Sequence, residues 1–282
     1  EPTRMKISLR QCIELASCVF AIFSIPYMCL LQLLHILPHY HNTSEPVYWL
    51  HVIAGVFLLI NVCANFYKLY SIDASMRGRL VESSEIGPAW RFCHACECHC
   101  PPRSYHCDVC NICVLKRDHH CLFAVNCVGL ANQRYYLLTV VYFAIAAIYA
   151  AVFNWRFVLD AHEGLSLKSA FQLTVPFMSM MFGVSSLYQF CLAITQIICI
   201  FGGGLLWLLF GLHLRLLLVN QTVHERAKMI CDYNMGWRQN VMQVFGPRYL
   251  LAFVWPFTVS RLPLDGFKFP IAGGGEAPRK TL

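Results

Sequence analysis

Charge is what this chain has least of. Only 13% of its 282 residues are Asp, Glu, Lys or Arg, against 57% hydrophobic, and the mean hydropathy is +0.52. Soluble domains carry about 25% charged and about 45–50% apolar residues. The deficit excludes an ordinary cytosolic globule, and the apolar excess excludes disorder. Residues 169–214 hold not one Asp, Glu, Lys or Arg. No internal repeat is apparent, nor coiled-coil heptads, nor any low-complexity tract beyond the glycines at 273–275. The net charge of +7 is modest, and no nucleic-acid partner is expected. Cysteine, by contrast, is abundant: there are 16, and nine fall between Cys93 and Cys127. A small disulfide-stapled secreted module does not suit a chain this long and apolar. The composition reads as a membrane protein with a cysteine-rich polar insert.

A bilayer span needs about 20 mainly apolar residues. Residues 15–37, 48–67 and 135–153 qualify, and 169–214 is long enough for one span plus extra, or for two. The run from residue 15 is too long for a signal peptide, and no small-residue cleavage site ends it. Basic residues alternate along the chain: Arg4, Lys6 and Arg10, then none in 38–47, eight in 68–134, two in 154–186, and nine from Arg215 onward. By the positive-inside rule this places the N-terminus, the insert and the C-terminus in the cytosol, with four spans. Residues 171–182 then form a lumenal or interfacial segment, where Pro176 disfavours a plain helix. Asn42-Thr43-Ser44 is a glycosylation triplet on the expected lumenal side, and Asn220-Gln221-Thr222 a triplet on the expected cytosolic side, where it is idle.

A cytosolic position keeps thiols reduced. The pairs Cys93/Cys96, Cys107/Cys110 and Cys110/Cys113 have the Cys-x2-Cys spacing that aims two thiolates at one tetrahedral zinc. Overlapping pairs with interspersed histidines, in a segment with little apolar core of its own, point to structural zinc, because the binding energy is then folding energy. With His94, Cys98, His99 and Cys100 set aside, ten candidates remain: Cys93, Cys96, His106, Cys107, Cys110, Cys113, His119, His120, Cys121 and Cys127. Two closed zinc sites consume eight ligands. Spacing does not say which two are spare. A spare Cys and His beside Asp118 would form a nucleophile, a base and an orienting carboxylate. Equally, the segment from Asp118 to Cys121 could be one more piece of zinc scaffold.

Asp118-His119-His120-Cys121 within this cysteine spacing resembles the DHHC family of protein S-acyltransferases (palmitoyltransferases). The intervals of the family pattern hold from Cys93 to Cys127 and on to Asn132. Pro101-Pro102-Arg103-Ser104 and Val184-Ser185-Ser186-Leu187 are similar to the DHHC24-type branch. The resemblance implies one zinc on Cys93, Cys96, His106 and Cys113 and another on Cys107, Cys110, His120 and Cys127. It leaves Cys121 as nucleophile and His119 as base, with Asp118 orienting His119. Asn220-Gln221-Thr222-Val223-His224-Glu225 is similar to the family's Thr-Thr-x-Glu element, with Val223 in place of the second Thr. The stretch from Gly236 to Gly246, with Asn240, is similar to its C-terminal motif. The chain departs from the family at Ala74 and Ser75 (usually Pro-Gly), at Cys100 (usually basic), at Leu122 and Phe123 (usually Pro-Trp) and at Tyr136 (usually Phe).

The expected fold is therefore an all-α integral membrane protein, with four transmembrane helices and a cytosolic zinc-binding cysteine-rich domain between helices 2 and 3. Its expected division is a cytosolic N-terminus (1–14), helices 1 and 2 (15–70), the cysteine-rich domain (71–134), helices 3 and 4 with a lumenal connection (135–219), and a cytosolic C-terminal region (220–282). The implied activity moves a long acyl group from acyl-CoA to Cys121 and then to cysteines of membrane-associated proteins, with the lipid bilayer as the other partner. Arg103, Lys116, Arg117 and Arg134 are the candidates to meet the CoA phosphates. Ala144, Ala146 and Ala147 are candidates to line the end of an acyl cavity, although small residues also mark helix packing. Two rivals are an inactive relative acting as a zinc-braced adaptor and a RING-type ligase. The expected membrane is that of the ER or Golgi. Arg279 and Lys280 form a faint dibasic tail. Cys231 is a candidate for acylation, and the cysteines at 12, 18, 29, 63, 191 and 199 read as small apolar residues.

Overall fold

The computed structural model describes residues 8–82, 84 and 86–272. Arg4, Lys6, the glycines at 273–275 and the tail with Arg279 and Lys280 lie outside the described residues. Four helices are long and apolar enough to cross a bilayer: α1 (Leu9–Tyr40), α2 (Pro46–Ser71), α3 (Gln133–Ala161) and α6 (Leu187–Leu218). The chain is a multi-pass membrane protein. The start of each span carries a signal. Ser8 and Gln11 exchange hydrogen bonds at the head of α1, Pro46 opens α2, and Ser186 with Gln189 forms a capping box before α6. Between α3 and α6 lie α4 (Leu167–Thr174) and α5 (Pro176–Met181). The chain breaks at Val175, outside the helical region, and restarts with Pro176 at the first helical position, where its missing N–H costs nothing. After α6 come α7 (Val223–Ala227), α8 (Trp237–Phe245) and α9 (Tyr249–Val254).

The described chain divides into two compact units. One comprises Ser24–Val62 and Val140–Phe210. Its helices are joined by polar pairs that lipid would otherwise leave unsatisfied: Tyr27 with Thr195 at 3.1 Å, Gln32 with Asn154, His51 with Tyr149, and the Gln196 amide on the Ala151 carbonyl at 2.9 Å. Ala150, Ala151 and Cys199 are buried together. A Cβ added to Gly203 would lie 3.1 Å from that of Ala147, so Ala147 is engaged in close helix packing. Single π turns interrupt α1 at Gln32–Ile36 and α6 at Ile198–Gly202. Phe177, Met181, Phe201 and Leu208 are exposed, as side chains that face hydrocarbon should be.

The other unit comprises Glu1–Phe23, Cys63–Thr139 and Gly211–Leu282. Here the cysteine-rich segment folds as three antiparallel hairpins: β1 (Arg91–Cys93) with β2 (Cys98–Cys100), β3 (Tyr105–Cys107) with β4 (Ile112–Val114), and β5 (His119–Cys121) with β6 (Asn126–Val128). Their first strands begin at 91, 105 and 119 and their second at 98, 112 and 126. Each turn places a residue in the left-handed region just before its second strand, at Glu97, Asn111 and Val125. The segment is thus a threefold backbone repeat, which corrects the expectation of no internal repeat. Outside the ligand-type positions (Cys93, Cys107 and Cys121; Cys96 and Cys110; His106 and His120; Cys113 and Cys127) few side chains recur, so the rest of each unit is alike in register and not in sequence.

The hairpins are tied to the ends of the spans. The Asn126 amide donates to the carbonyls of Leu69, Tyr70 and Ile72, satisfying groups that the end of α2 leaves open. Asn132 donates to the Ile72 and Cys127 carbonyls and accepts from Gly129 N–H. A Cβ on Gly129 would lie 2.6 Å from the Leu115 carbonyl oxygen, so only glycine permits this approach. Asn240, in α8, donates to the Leu218 carbonyl at 2.7 Å and so closes the end of α6. Leu262, Leu264, Phe267 and Phe269 pack over a core of Met76, Cys100, Cys113, Leu115 and Leu130.

Candidate active site

The repeat explains where the ligand-type residues converge. For each group, one residue pair comes from the turn of one hairpin and the other from a cross-strand partnership in the next hairpin. Hairpin one supplies Cys93 and Cys96, and hairpin two supplies the partners His106 and Cys113. Their four ligand atoms lie within 4.8 Å of one another. Hairpin two likewise supplies Cys107 and Cys110, and hairpin three the partners His120 and Cys127, as a second group of four. Zn–S bonds of about 2.3 Å and Zn–N bonds of about 2.0–2.1 Å set tetrahedral ligands about 3.8 Å apart (S···S) and about 3.6 Å apart (S···N). In the first group Nδ1 of His106 is 3.7, 3.2 and 3.9 Å from the sulfurs of Cys93, Cys96 and Cys113. In the second, Nδ1 of His120 is 3.8, 3.2 and 3.7 Å from those of Cys107, Cys110 and Cys127. Both groups fit a tetrahedral zinc. Burial pushes the Cys113 and Cys127 thiols up, and the neighbouring thiols add to it; a cation among them reverses that penalty.

Cys121 stands in hairpin three where Cys93 and Cys107 stand in theirs. Its turn partner is Ala124 instead of a cysteine. Among the described residues there is no fourth hairpin to offer a His and a Cys, because the chain enters α3 at Gln133. Cys121 therefore belongs to neither group of four.

Beside it, Nδ1 of His119 is 2.6 Å from Oδ2 of Asp118. Asp118 is 4% exposed. Its Oδ1 accepts from the Val223 backbone N–H at 3.0 Å. Burial disfavours its charge, but the His119 hydrogen bond and charge and the Val223 N–H hold its carboxyl below the ordinary range. Burial likewise opposes a charge on His119; the hydrogen bond to Asp118 and the interaction with Cys121 outweigh it and raise His119 to about 9. The imidazole is a strong proton acceptor, its Nδ1 side occupied by Asp118. The ring of Tyr136 meets that of His119 edge-on at 4.7 Å.

The segment after α6 braces this arrangement. Thr222 caps α7 in a capping box with Glu225. The Glu225 carboxylate accepts from Arg103 Nε at 2.7 Å and from a second guanidinium nitrogen at 2.8 Å. Asn220 binds the same guanidinium through its side chain at 3.2 Å and its carbonyl at 2.8 Å. The Arg103 and Glu225 side chains are 0% and 1% exposed. This corrects the expectation that Arg103 meets a CoA phosphate, because all its donor edges face the interior. Lys116 is corrected for the same reason. It is 1% exposed, and burial, with Arg103 nearby, lowers it to about 7. Arg117 is half-buried against the Cys107 and Cys127 sulfurs. Arg134, also half-buried, donates to the Ser260 carbonyl at 2.7 Å.

Two contributors escaped the reading of the sequence. Glu14, inside α1, is 3% exposed. Its Oε1 lies 3.4 Å from Nε2 of His120 and 3.1 Å from Nε of Arg10. Its place at the edge of the first apolar run, four residues after Arg10, was the available signal. His213, in α6, brings Nδ1 to 3.7 Å from Oδ2 of Asp118, and a lone histidine at the end of an uncharged run was its signal.

A model of the family described as DHHC palmitoyltransferase matches residues 87–230. The chain is similar to the Homo sapiens protein named Probable palmitoyltransferase ZDHHC24, at 34% identity over 223 residues, 78% of each chain. It is similar to the Danio rerio protein of that name, at 32% over 248 residues, 87% of this chain and 84% of the other. With the Homo sapiens Palmitoyltransferase ZDHHC15 it shares 31% identity over 208 residues, 69% of this chain and 54% of the other. With this match resting on the segment that holds both ligand groups and Asp118, His119 and Cys121, the chain belongs to the DHHC palmitoyltransferase family, on its ZDHHC24 side.

Proposed function

We propose that Cys121 is the nucleophile of a protein S-palmitoyltransferase that works in two covalent steps. The observation that carries this reading is a cysteine left out of both ligand groups beside a histidine whose other nitrogen is occupied by Asp118. His119 takes the proton of the Cys121 thiol, and the sulfur attacks the thioester carbonyl of palmitoyl-CoA. The acyl–Cys121 thioester forms as the acyl–CoA bond breaks, and the proton passes through His119 to the departing CoA sulfur. A cysteine thiol of a membrane-associated protein then gives its proton to His119 and takes the acyl group, which frees Cys121. Each step exchanges one thioester for another, so little free energy is lost and positioning is the main task of the protein. Val223 does not weaken the site in this reading, since Asp118 uses its backbone N–H, which any residue but proline supplies.

The ligand groups formed by Cys93, Cys96, His106 and Cys113 and by Cys107, Cys110, His120 and Cys127 each hold a zinc whose role is structural. Each ion fastens two hairpins and so fixes the strand that carries His119 and Cys121. The palmitoyl chain enters the bilayer side, where each buried CH2 contributes about 0.8 kcal/mol. Arg117 and Arg134, the two of the four basic candidates that reach the surface, face the CoA phosphates. The alternation of basic residues supports residues 71–134 and both termini on the cytosolic face of ER or Golgi membranes.

The test is incubation of the purified protein with labelled palmitoyl-CoA. Hydroxylamine-sensitive label should appear on the wild type and be absent from Cys121→Ser. His119→Ala should lose turnover and keep both zincs, whereas His120→Ala and Cys113→Ser should lose zinc. Equal zinc loss in His119→Ala and His120→Ala would sink the ligand assignment.

A further inference from the structure

We propose that the first hairpin carries a third metal site, in which Cys98, Cys100 and Cys113 bind a monovalent copper ion, Cu(I). Neither Cys98 nor Cys100 serves the groups described above, and Cys100 stands where the family usually has a basic residue. The two alternate along β2 and so project from the same face of the strand. Their sulfurs and that of Cys113 lie within 4.8 Å of one another.

The fold does not require sulfur at either position. The repeat places Ile112 and Val114 at the corresponding sites of hairpin two, and Asn126 and Val128 at those of hairpin three. A single buried cysteine at 100 would be a small apolar residue like Val114 and Val128. Two thiols two residues apart, both turned on a third, are more than that role needs. Cys100 and Cys113 are 3% and 2% exposed, whereas Cys98 is half-exposed, so an ion reaches the cluster past Cys98.

The donor set selects the ion. Three sulfurs with no nitrogen or oxygen donor are a soft site, and thiolates favour Cu(I). The nearest imidazole in sequence, His99, lies between the two cysteines and so projects from the opposite face, where it meets the ring of Phe92 at 5.1 Å. Zinc prefers a fourth ligand, which this group lacks. Cys113 would bridge the copper and the first zinc, so the sharing rests on the zinc assignment proposed above.

The experiment uses the full-length, zinc-loaded protein in detergent. It is titrated without oxygen with Cu(I) against a chromophoric Cu(I) chelator, while bound copper and zinc are counted by mass spectrometry. One copper per chain is expected, with the zinc count unchanged. Cys98→Ser and Cys100→Val should each weaken Cu(I) binding by roughly tenfold or more and leave the zinc count where it was. Cys98→Ser, at the half-exposed position, keeps the test valid if Cys100→Val folds poorly. Copper affinity unchanged in both variants would overturn the proposal, and so would copper that enters only as zinc leaves one for one. Fewer than two zincs before copper is added would sink the zinc assignment alone; the effect of Cys98→Ser on copper would still decide the third site.

Discussion

Replacing Arg103 by methionine distinguishes a buried brace from a phosphate contact. The guanidinium makes two bonds of 2.7 and 2.8 Å to Glu225 and two more to Asn220, and it lies over the rings of Tyr233 at 4.2 Å and Phe269 at 5.0 Å. Removing one partner of a buried, hydrogen-bonded ion pair costs about 3–5 kcal/mol, because the other charge is left without compensation. That corresponds to roughly a hundredfold to several-thousandfold shift toward local opening. Opening α7 withdraws the Val223 N–H from Asp118, so turnover should fall with stability. Thermal unfolding of the purified protein, read with a thiol-reactive fluorophore, and a titration of the rate against palmitoyl-CoA measure the two effects. The midpoint should drop markedly with little change in KM. The double variant Arg103→Met/Glu225→Gln, which removes both charges and keeps an acceptor for Thr222, should lose less than the two single variants added together, by about 2 kcal/mol. An unchanged midpoint with a raised KM for palmitoyl-CoA would refute the brace and return Arg103 to the phosphates.

Lys116 releases its proton near pH 7 in the folded state and near 10.5 otherwise. The unfolded chain holds more protons between those values, so this group adds stability as pH rises through that window; Lys116→Met should exceed the wild type most below pH 7 and lose the advantage toward pH 10, and a constant difference across denaturant titrations would contradict this. His119 has the opposite sign. Raised from 6.5 to about 9, it contributes stability that is present below pH 6.5 and lost as pH rises through about 9, and Asp118→Asn, which removes the group that raises it, should flatten that slope. Glu14→Gln should speed the loss of zinc from the group containing His120 to a chelator by roughly 10–100-fold, with release from the His106 group unchanged; identical release of both zincs would separate Glu14 from the metal.

The four spans and the ligand types were legible along the chain because they depend on local quantities. Transfer of an uncharged run into hydrocarbon is summed residue by residue, and a Cys-x2-Cys turn aims its own two sulfurs. Pro176 marked the break between α4 and α5 for a similarly local reason. The choice of spare ligands was not legible from spacing, since Cys127, like Cys121, lacks a Cys-x2-Cys partner and yet joins a group, and Cys121 ends its strand as Cys93 and Cys107 end theirs. Those two each have a later hairpin that brings a His and a Cys to meet them, whereas the hairpin of Cys121 leads directly into α3.

From sequence alone came the spans, the expected orientation, the metal-ligand types and the adjacency of Asp118, His119 and Cys121. Tertiary structure alone decided that Arg103 turns inward to Glu225, that Glu14 faces His120, that His213 approaches Asp118, and that Cys98 and Cys100 converge on Cys113. The reason is physical. Arg103 and Glu225 are 122 residues apart, and a charge at such a distance along the chain meets solvent or a partner according to how the backbone closes, which no local propensity encodes.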